Sequence, residues 1–321
     1  MSLSHFTGLS PMRFSTKTAS GFFLPLVAAC LVCLLPAPSL ADDVSRENMP
    51  NEAELAFLVG ESEVIDPNDP NAMGDAHFYG RTVPQDYQEA MKWYRKGADE
   101  GNAEAQLNLG VMYRNGFGVE ADNATAMIWY QQAADQNHVG AQYAVAAMHH
   151  YGKGTPQDFT KAVTWYRKAA DQGFAEAQFV LGFMHSHGQG VDQDFEESVR
   201  WYTQAAEQGE SKSQNNLGLI YETGRGVLQN YQKAVKWYKK AAEQGNPKPQ
   251  NNLGVMYGKA RGVPQNFVEA HKWLNLAASR LAPGGNYERA KFNRDRLERQ
   301  MTPAEIAEAQ QLAQQWRPNS N

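Results

Sequence analysis

A tryptophan recurs every 36 residues through most of the chain, at Trp93, Trp129, Trp165, Trp201, Trp237 and Trp273, and only Trp316 lies outside the series. Around each one a related phrase returns, such as AMKWYRKGADEG, AVTWYRKAADQG, SVRWYTQAAEQG and AVKWYKKAAEQG. A fixed period of this length marks stacked supersecondary units, because each unit buries its apolar face only against its neighbours. The expected fold is therefore an all-α solenoid of antiparallel helix pairs, and its function is expected to lie in the surface it presents. With 321 residues and a formal net charge of −5, the chain carries no basic stripe that would suggest nucleic acid.

The N-terminus differs in kind. Residues 1–20 contain Arg13 and Lys17 and no acid, Gly21 to Leu35 is apolar, and Pro36, Pro38, Ser39, Leu40 and Ala41 precede Asp42, the first acidic residue. The apolar run is shorter than the ~20 residues that span a bilayer. Basic, apolar and small-residue regions in this order read as a signal peptide over residues 1–41, cleaved after Ala41. Both cysteines, Cys30 and Cys33, fall inside it. Val27 to Cys30 also allows lipid attachment at Cys30 as the lesser alternative. The mature chain would then be cysteine-free, without a disulfide or a transmembrane span, and periplasmic or secreted.

One unit can be read across Asn102 to Gly173. NAEAQLNLGVMYRNG has the 3.6-residue apolar period of a helix. Paired glycines interrupt it at Gly116/Gly118, and likewise at Gly152/Gly154, Gly188/Gly190 and Gly224/Gly226, where a tight turn needs positive φ. Asp86, Asp122, Asp158, Asp194, Asn230 and Asn266 then stand where each second helix needs an N-cap. Glu89, Glu197 and Glu269, three residues further on, have capping-box spacing. The second helix is apolar at Ala162, Trp165, Tyr166, Ala169 and Ala170, and these helices end at Gly101, Asn137, Gly173, Gly209 and Gly245. Tryptophan and tyrosine are both expected to fill the core between layers.

The pattern Ala-x-Ala-Gln-x-x-Leu-Gly-x-Met-Tyr, then Gly-x-Gly-Val, then Trp-Tyr-x-x-Ala-Ala and Gly, resembles the Sel1-like repeat, a relative of the tetratricopeptide solenoid. Ala105–Tyr113 with Gly116, Gly118, Val119, Trp129 and Tyr130 carry the match, which extends from about Glu52 to Ser279. The resemblance implies a right-handed superhelix whose first helices line the concave face, and members that mostly act as adaptors. It implies no single activity. The disulfide-stapled branch of the family is not matched, so functions proposed for that branch are not carried over.

The chain divides into a lead-in at 42–66, six tryptophan-marked units at 67–281, the first irregular, and a helical cap at 282–321. Either Asn51–Ser62 or Ala72–Phe78 supplies the first helix. Pro247 and Pro249 replace Ala103 and Ala105 and are expected to delay that helix by a turn. Ala260 replaces a turn glycine. The cap comprises a charged amphipathic segment, Asn286–Met301, and a final helix opened by Thr302-Pro303-Ala304-Glu305 and running to about Trp316.

Comparison of the units with one another separates scaffold from surface. At 100° per residue, positions equivalent to Ala105, Gln106, Leu109, Gly110, Met112 and Tyr113 occupy an arc from about −20° to 140°. They barely change, with glutamine at 106, 142, 178, 214 and 250. The opposite arc, about 180° to 260° by the same geometry, varies freely. It holds Leu107, Tyr143, Phe179, Asn215 and Asn251 at one position and Val111, Ala147, Phe183, Leu219 and Val255 at the next. With Arg114 and His150 these are the candidate residues of a groove that binds a protein or peptide. A plainer reading is that neighbouring layers bury part of this arc.

Signals for chemistry are weak. His149 and His185 occupy equivalent places in adjacent units, about 8–10 Å apart by helix packing. Together with His187 they make a metal site conceivable, but Tyr113, Tyr221 and Tyr257 fill the same slot elsewhere. The slot therefore calls for a flat ring with a polar edge, and no metal or other cofactor is expected. No GxSxG, HExxH or P-loop motif is present. The expected function is a non-catalytic scaffold or adaptor of the bacterial envelope. The alternatives are an enzyme or binder of a small ligand or cell-wall fragment that uses groove histidines, and a secreted factor acting on a host.

Overall fold

A computed structural model describes residues 66–281 and 284–319. The proposed signal peptide, Cys30, and the Asn51–Ser62 alternative for the first helix lie outside the described residues. Six helix pairs follow one another: α1 (Pro70–Tyr79) with α2 (Tyr87–Asp99), α3 (Ala103–Asn115) with α4 (Asn123–Asp135), and α5 (Val139–Tyr151) with α6 (Phe159–Asp171). Next come α7 (Ala175–His187) with α8 (Phe195–Glu207), α9 (Ser211–Thr223) with α10 (Tyr231–Glu243), and α11 (Pro247–Gly258) with α12 (Phe267–Arg280). Two helices, α13 (Gly285–Glu298) and α14 (Pro303–Gln315), both pack on α12 and close the stack. Every helix of the six pairs packs on the one before it and the one after it, as a solenoid requires.

The local signals act largely as read. Asp86, Asp122, Asp158, Asp194, Asn230 and Asn266 each accept a backbone N–H from the first turn of the helix they open. The paired turn glycines all have positive φ, as do Gly101, Asn137, Gly173, Gly209 and Gly245. Ala260 and Thr82 hold the same left-handed conformation, at φ 52° and 59°, without being glycine. The second glycine of each pair has a further duty. A Cβ on Gly118, Gly154, Gly190 or Gly262 would collide with backbone atoms at the head of the preceding unit's second helix, at Tyr87, Asn123, Phe159 and Tyr231 respectively. These turns thus bring one unit's backbone close against the next.

Three expectations are corrected. The capping-box spacing at Glu89, Glu197 and Glu269 is not used as a box. The N–H of the N-cap already donates to a carbonyl of the preceding helix, from Asp86 to His77, Asp194 to His185 and Asn266 to Tyr257. The glutamates turn instead to Lys92, to Arg200, and to Lys272 with the Trp273 indole N–H. Only Thr302 and Glu305 form the reciprocal box among the described residues. Secondly, α11 begins at Pro247 without delay, capped by Asn246. Pro247 and Pro249 fall in the first turn, where backbone N–H groups have no intrahelical partner to lose.

The third correction concerns the core. Tyrosine, not tryptophan, is its constant centre. Tyr94, Tyr130, Tyr166, Tyr202 and Tyr238 are at most 2% exposed. Each ring presses on the partner helix of its own pair, and a Cβ on Gly74, Gly110, Gly182 or Gly218 would stand within 3.0 Å of it. A fully buried large side chain contributes about 2–3 kcal/mol, so this repeated contact is a main source of cohesion. Trp201 and Trp273 are buried, whereas Trp93, Trp129, Trp165 and Trp237 are only partly covered. A cation lies over each of these four rings, for example Lys168 over Trp165 at 3.6 Å and Arg95 over Trp129 at 4.8 Å. Trp316, the one outside the series, packs edge-on against Trp273 at 5.9 Å and covers the last layer.

Candidate functional site

The invariant arc of the first helices is held by a ladder of glutamines. Gln106 donates to the carbonyl of Ala98 at the end of α2, and its own oxygen accepts from Gln136 at the end of α4, at 2.7 Å. The same double engagement recurs at Gln178 and Gln214, which donate to the preceding unit at Ala170 and Ala206 and accept from Gln208 and Gln244 of their own unit. Gln142 also accepts from its own unit, through Gln172, but donates to Asn137. At Gln250 the same unit offers Arg280 in place of glutamine, and the Gln250 side-chain oxygen is buried without a partner. A side chain that satisfies two buried groups cannot vary, because its loss strands both.

The opposite arc is free of that duty, and the structure divides it. Leu107, Val111, Tyr143, Ala147 and His150, on α3 and α5, are buried, and Arg114 is partly covered. Phe174, which stands where α3 and α11 have Asn102 and Asn246, lies edge-on against Tyr143 at 5.3 Å and helps close this half. His138, at the same position of α5, bonds Glu104 at 2.7 Å across the seam. Further along the stack the arc opens. Phe179 and Phe183 on α7 are partly exposed, Leu219 on α9 is 46% exposed, and Asn215 and Val255 are partly accessible, while Asn251 is buried. His187 is exposed and stacks on Phe183 at 4.1 Å, and Lys212 lies over the Phe179 ring at 5.8 Å. The accessible strip is thus the α7–α9 part of the proposed groove, apolar with cationic and amide edges. The signal for the bulky α7 N-cap that helps close the other half is Phe174 itself, the one apolar residue where the other units have Asn102, His138, Glu210 and Asn246.

The ring slot shared by Tyr113, His149, His185, Tyr221 and Tyr257 serves packing. Arg95 donates to the Tyr113 hydroxyl at 2.8 Å, and the equivalent Arg167 stands 3.3 Å from His185 Nε2. A guanidinium at that nitrogen opposes a metal cation there. Burial lowers the pKa of both His149 and His185, which favours the neutral ring. Among the described residues no three His, Cys, Asp or Glu side chains gather as a ligand set.

Helix pairs of nearly constant length, repeated in register and joined through their own turns, define a helical-repeat solenoid. The sequence pattern of the Sel1 repeat matches residues 71–102, 103–138, 139–174, 175–210, 211–246 and 250–280. The chain belongs to the Sel1 repeat family, whose members are in general non-catalytic protein-interaction scaffolds. Among solved structures it is similar to a Sel1 repeat protein from Oxalobacter formigenes, with 34% identity, 71% of this chain and 94% of that one covered, and a TM-score of 0.61. It also resembles the ERAD-associated E3 ubiquitin-protein ligase component HRD3A of Arabidopsis thaliana, 38% identical over 50 residues. That stretch is 16% of this chain and 7% of the plant protein, so it reports a shared repeat and not a shared whole. No helix among the described residues is long and apolar enough to cross a membrane.

Proposed function

We propose that this chain is a non-catalytic adaptor that holds an extended or helical segment of another protein along the α7–α9 strip. The observation that carries this reading is the strip itself. Phe179 and Phe183 pack one side against the buried cluster around Tyr202 and Leu217, yet together with Leu219 they leave large apolar side chains where solvent reaches them. Apolar anchors spaced along a helical groove suit the apolar face of a bound peptide. The export pattern of residues 1–41 supports an envelope or extracellular setting for the adaptor.

The test is affinity capture from envelope extract with the chain and with a Phe179→Glu/Phe183→Glu variant whose helicity matches by circular dichroism. A partner retained by the chain and lost from the variant supports the strip. A partner held equally by both moves the interface elsewhere and refutes it.

A further inference from the structure

The seam between the second and third units differs from the others in charge. The position of Arg114 faces a position 39 residues on, in the turn of the next unit. The pairs so related are Phe78 with Phe117, Arg114 with Lys153, His150 with Gln189, Ser186 with Arg225, and Glu222 with Arg261. Two of them meet directly. The rings of Phe78 and Phe117 lie 5.4 Å apart, and Arg261 Nη1 stands 3.4 Å from Glu222 Oε1. Where the fifth seam pairs an arginine with a carboxylate, the second offers two cations and no acid.

A cavity of about 180 Å³ lies at this second seam, lined by Arg114, Lys153, Asn115, Asn123, Ala147 and Tyr151 among others. Its origin is a missing ring. The residue heading the second helix is Tyr87, Phe159, Phe195, Tyr231 or Phe267 in the other five units, and Asn123 here. Elsewhere that ring fills the space beside the 114 position: Tyr87 packs on Phe78 at 5.2 Å, and Phe159 on His150 at 5.2 Å. Ala147 enlarges the hollow further, being the smallest residue at a position otherwise held by Val111, Phe183, Leu219 and Val255.

Asn115 donates to the Val111 carbonyl at 2.9 Å, but the two cations at this hollow are not spent on the protein. Arg114 Nη1 is buried and has no hydrogen-bond partner among the described residues, and neither Arg114 nor Lys153 forms an ion pair there. The carboxylate beside Asn123 in sequence, Asp122, is occupied as an N-cap by the N–H groups of Ala124 and Thr125 and by the Thr125 hydroxyl. A buried guanidinium N–H without a partner is costly, and its preferred partner is an oxyanion. We propose that the second seam is an oxyanion site, which takes a carboxylate or phosphate group between Arg114 and Lys153 in the space left by the absent ring. The inference does not depend on the peptide strip, which lies on α7 and α9.

Titration calorimetry at low ionic strength tests it with three probes: acetate, inorganic phosphate, and a blocked peptide carrying one aspartate. The full chain is compared with Arg114→Gln, Lys153→Gln and Asn123→Phe. The chain should bind at least one probe saturably, and Arg114→Gln should weaken it by about tenfold or more, as loss of a charge-assisted pair does. Asn123→Phe keeps both cations, restores the ring its sister units carry, and should abolish binding. Phosphate binding with weak peptide binding assigns the site to a free solute, and the reverse assigns it to a carboxylate borne by a partner; both uphold it. No saturable binding of any probe in the millimolar range overturns the proposal, as does equal binding by the chain and Asn123→Phe. A second readout needs no ligand. Arg114→Glu should recreate the Glu222–Arg261 type of pair with Lys153, raise the Tm at low salt, and remove any anion-dependent increment. An unchanged Tm with the increment intact would show that the two cations do not share the site.

Discussion

His150 offers a quantitative test of how tightly the α3–α5 half of the arc is closed. Its ring is 2% exposed, and both ring nitrogens are buried without a partner. Phe159 and Tyr166 meet it edge-on at 5.2 and 6.0 Å, and Tyr151 lies 4.4 Å away. Desolvation alone pushes the pKa from 6.5 down to about 4, since a charged imidazolium would be stripped of water with nothing to replace it. Between those values the unfolded chain binds a proton that the folded one refuses. The contribution to stability is therefore complete above pH 6.5 and lost as pH falls toward 4. At about pH 4.5 the loss is about 2.5 kcal/mol. The perturbation is His150→Phe, which places there the residue that Phe78 already supplies in the first unit. At neutral pH the variant should gain about 1–2 kcal/mol by removing two unsatisfied nitrogens. On acidification its advantage should widen by the further 2.5 kcal/mol or so. Urea unfolding of both proteins from neutral pH to about 4.5, read by circular dichroism, gives the difference. His149 and His185 are common to both chains and cancel. An advantage that stays constant with pH would refute the reasoning, because it would mean that the His150 ring is protonated as readily folded as unfolded.

Asp75 should behave in the opposite sense. Burial raises its pKa to about 6, and it accepts the Tyr94 hydroxyl at 2.7 Å, so stability is lost as pH rises from about 4 through 6. Asp75→Asn should therefore stabilise the first unit near neutrality by up to about 3 kcal/mol, measured as the shift in urea midpoint; no gain would show that water reaches the carboxylate. Gly154→Ala combines a left-handed φ with a collision at the Asn123 carbonyl and should cost about 2 kcal/mol or more, visible as a lower Tm. Ala260→Gly relieves the left-handed strain without any such collision to remove, and should raise the Tm by an amount worth about 0.5–1 kcal/mol. Equal melting of these last two variants would contradict the assignment of the turns.

The helix pairs, their N-caps, the left-handed turn residues and the 36-residue period were legible because each is set within a few neighbouring residues, and the period repeats the message six times. The same locality explains the misreadings. The Glu89, Glu197 and Glu269 spacing fits a capping box, but the N-cap N–H is claimed by a carbonyl of the preceding helix, a partner no local pattern reveals. The tryptophan announces the unit, yet the adjacent tyrosine is the ring sealed against the glycine of the facing helix.

The variable arc was identified by comparing units, since a contact shared by every layer must repeat and a free one need not. Which part of that arc meets solvent was decided only by the stack, where Phe174 folds against Tyr143 while Leu219 remains in water. The hollow beside Arg114 belongs to the same class of fact. Asn123 is visible in the sequence as a lost aromatic, but that its loss leaves two cations facing a cavity follows from residues 39 apart meeting across a seam. Thus the one-dimensional period determined the fold, because stacking needs only nearest neighbours, while burial and charge at the seams required the neighbours to be in place.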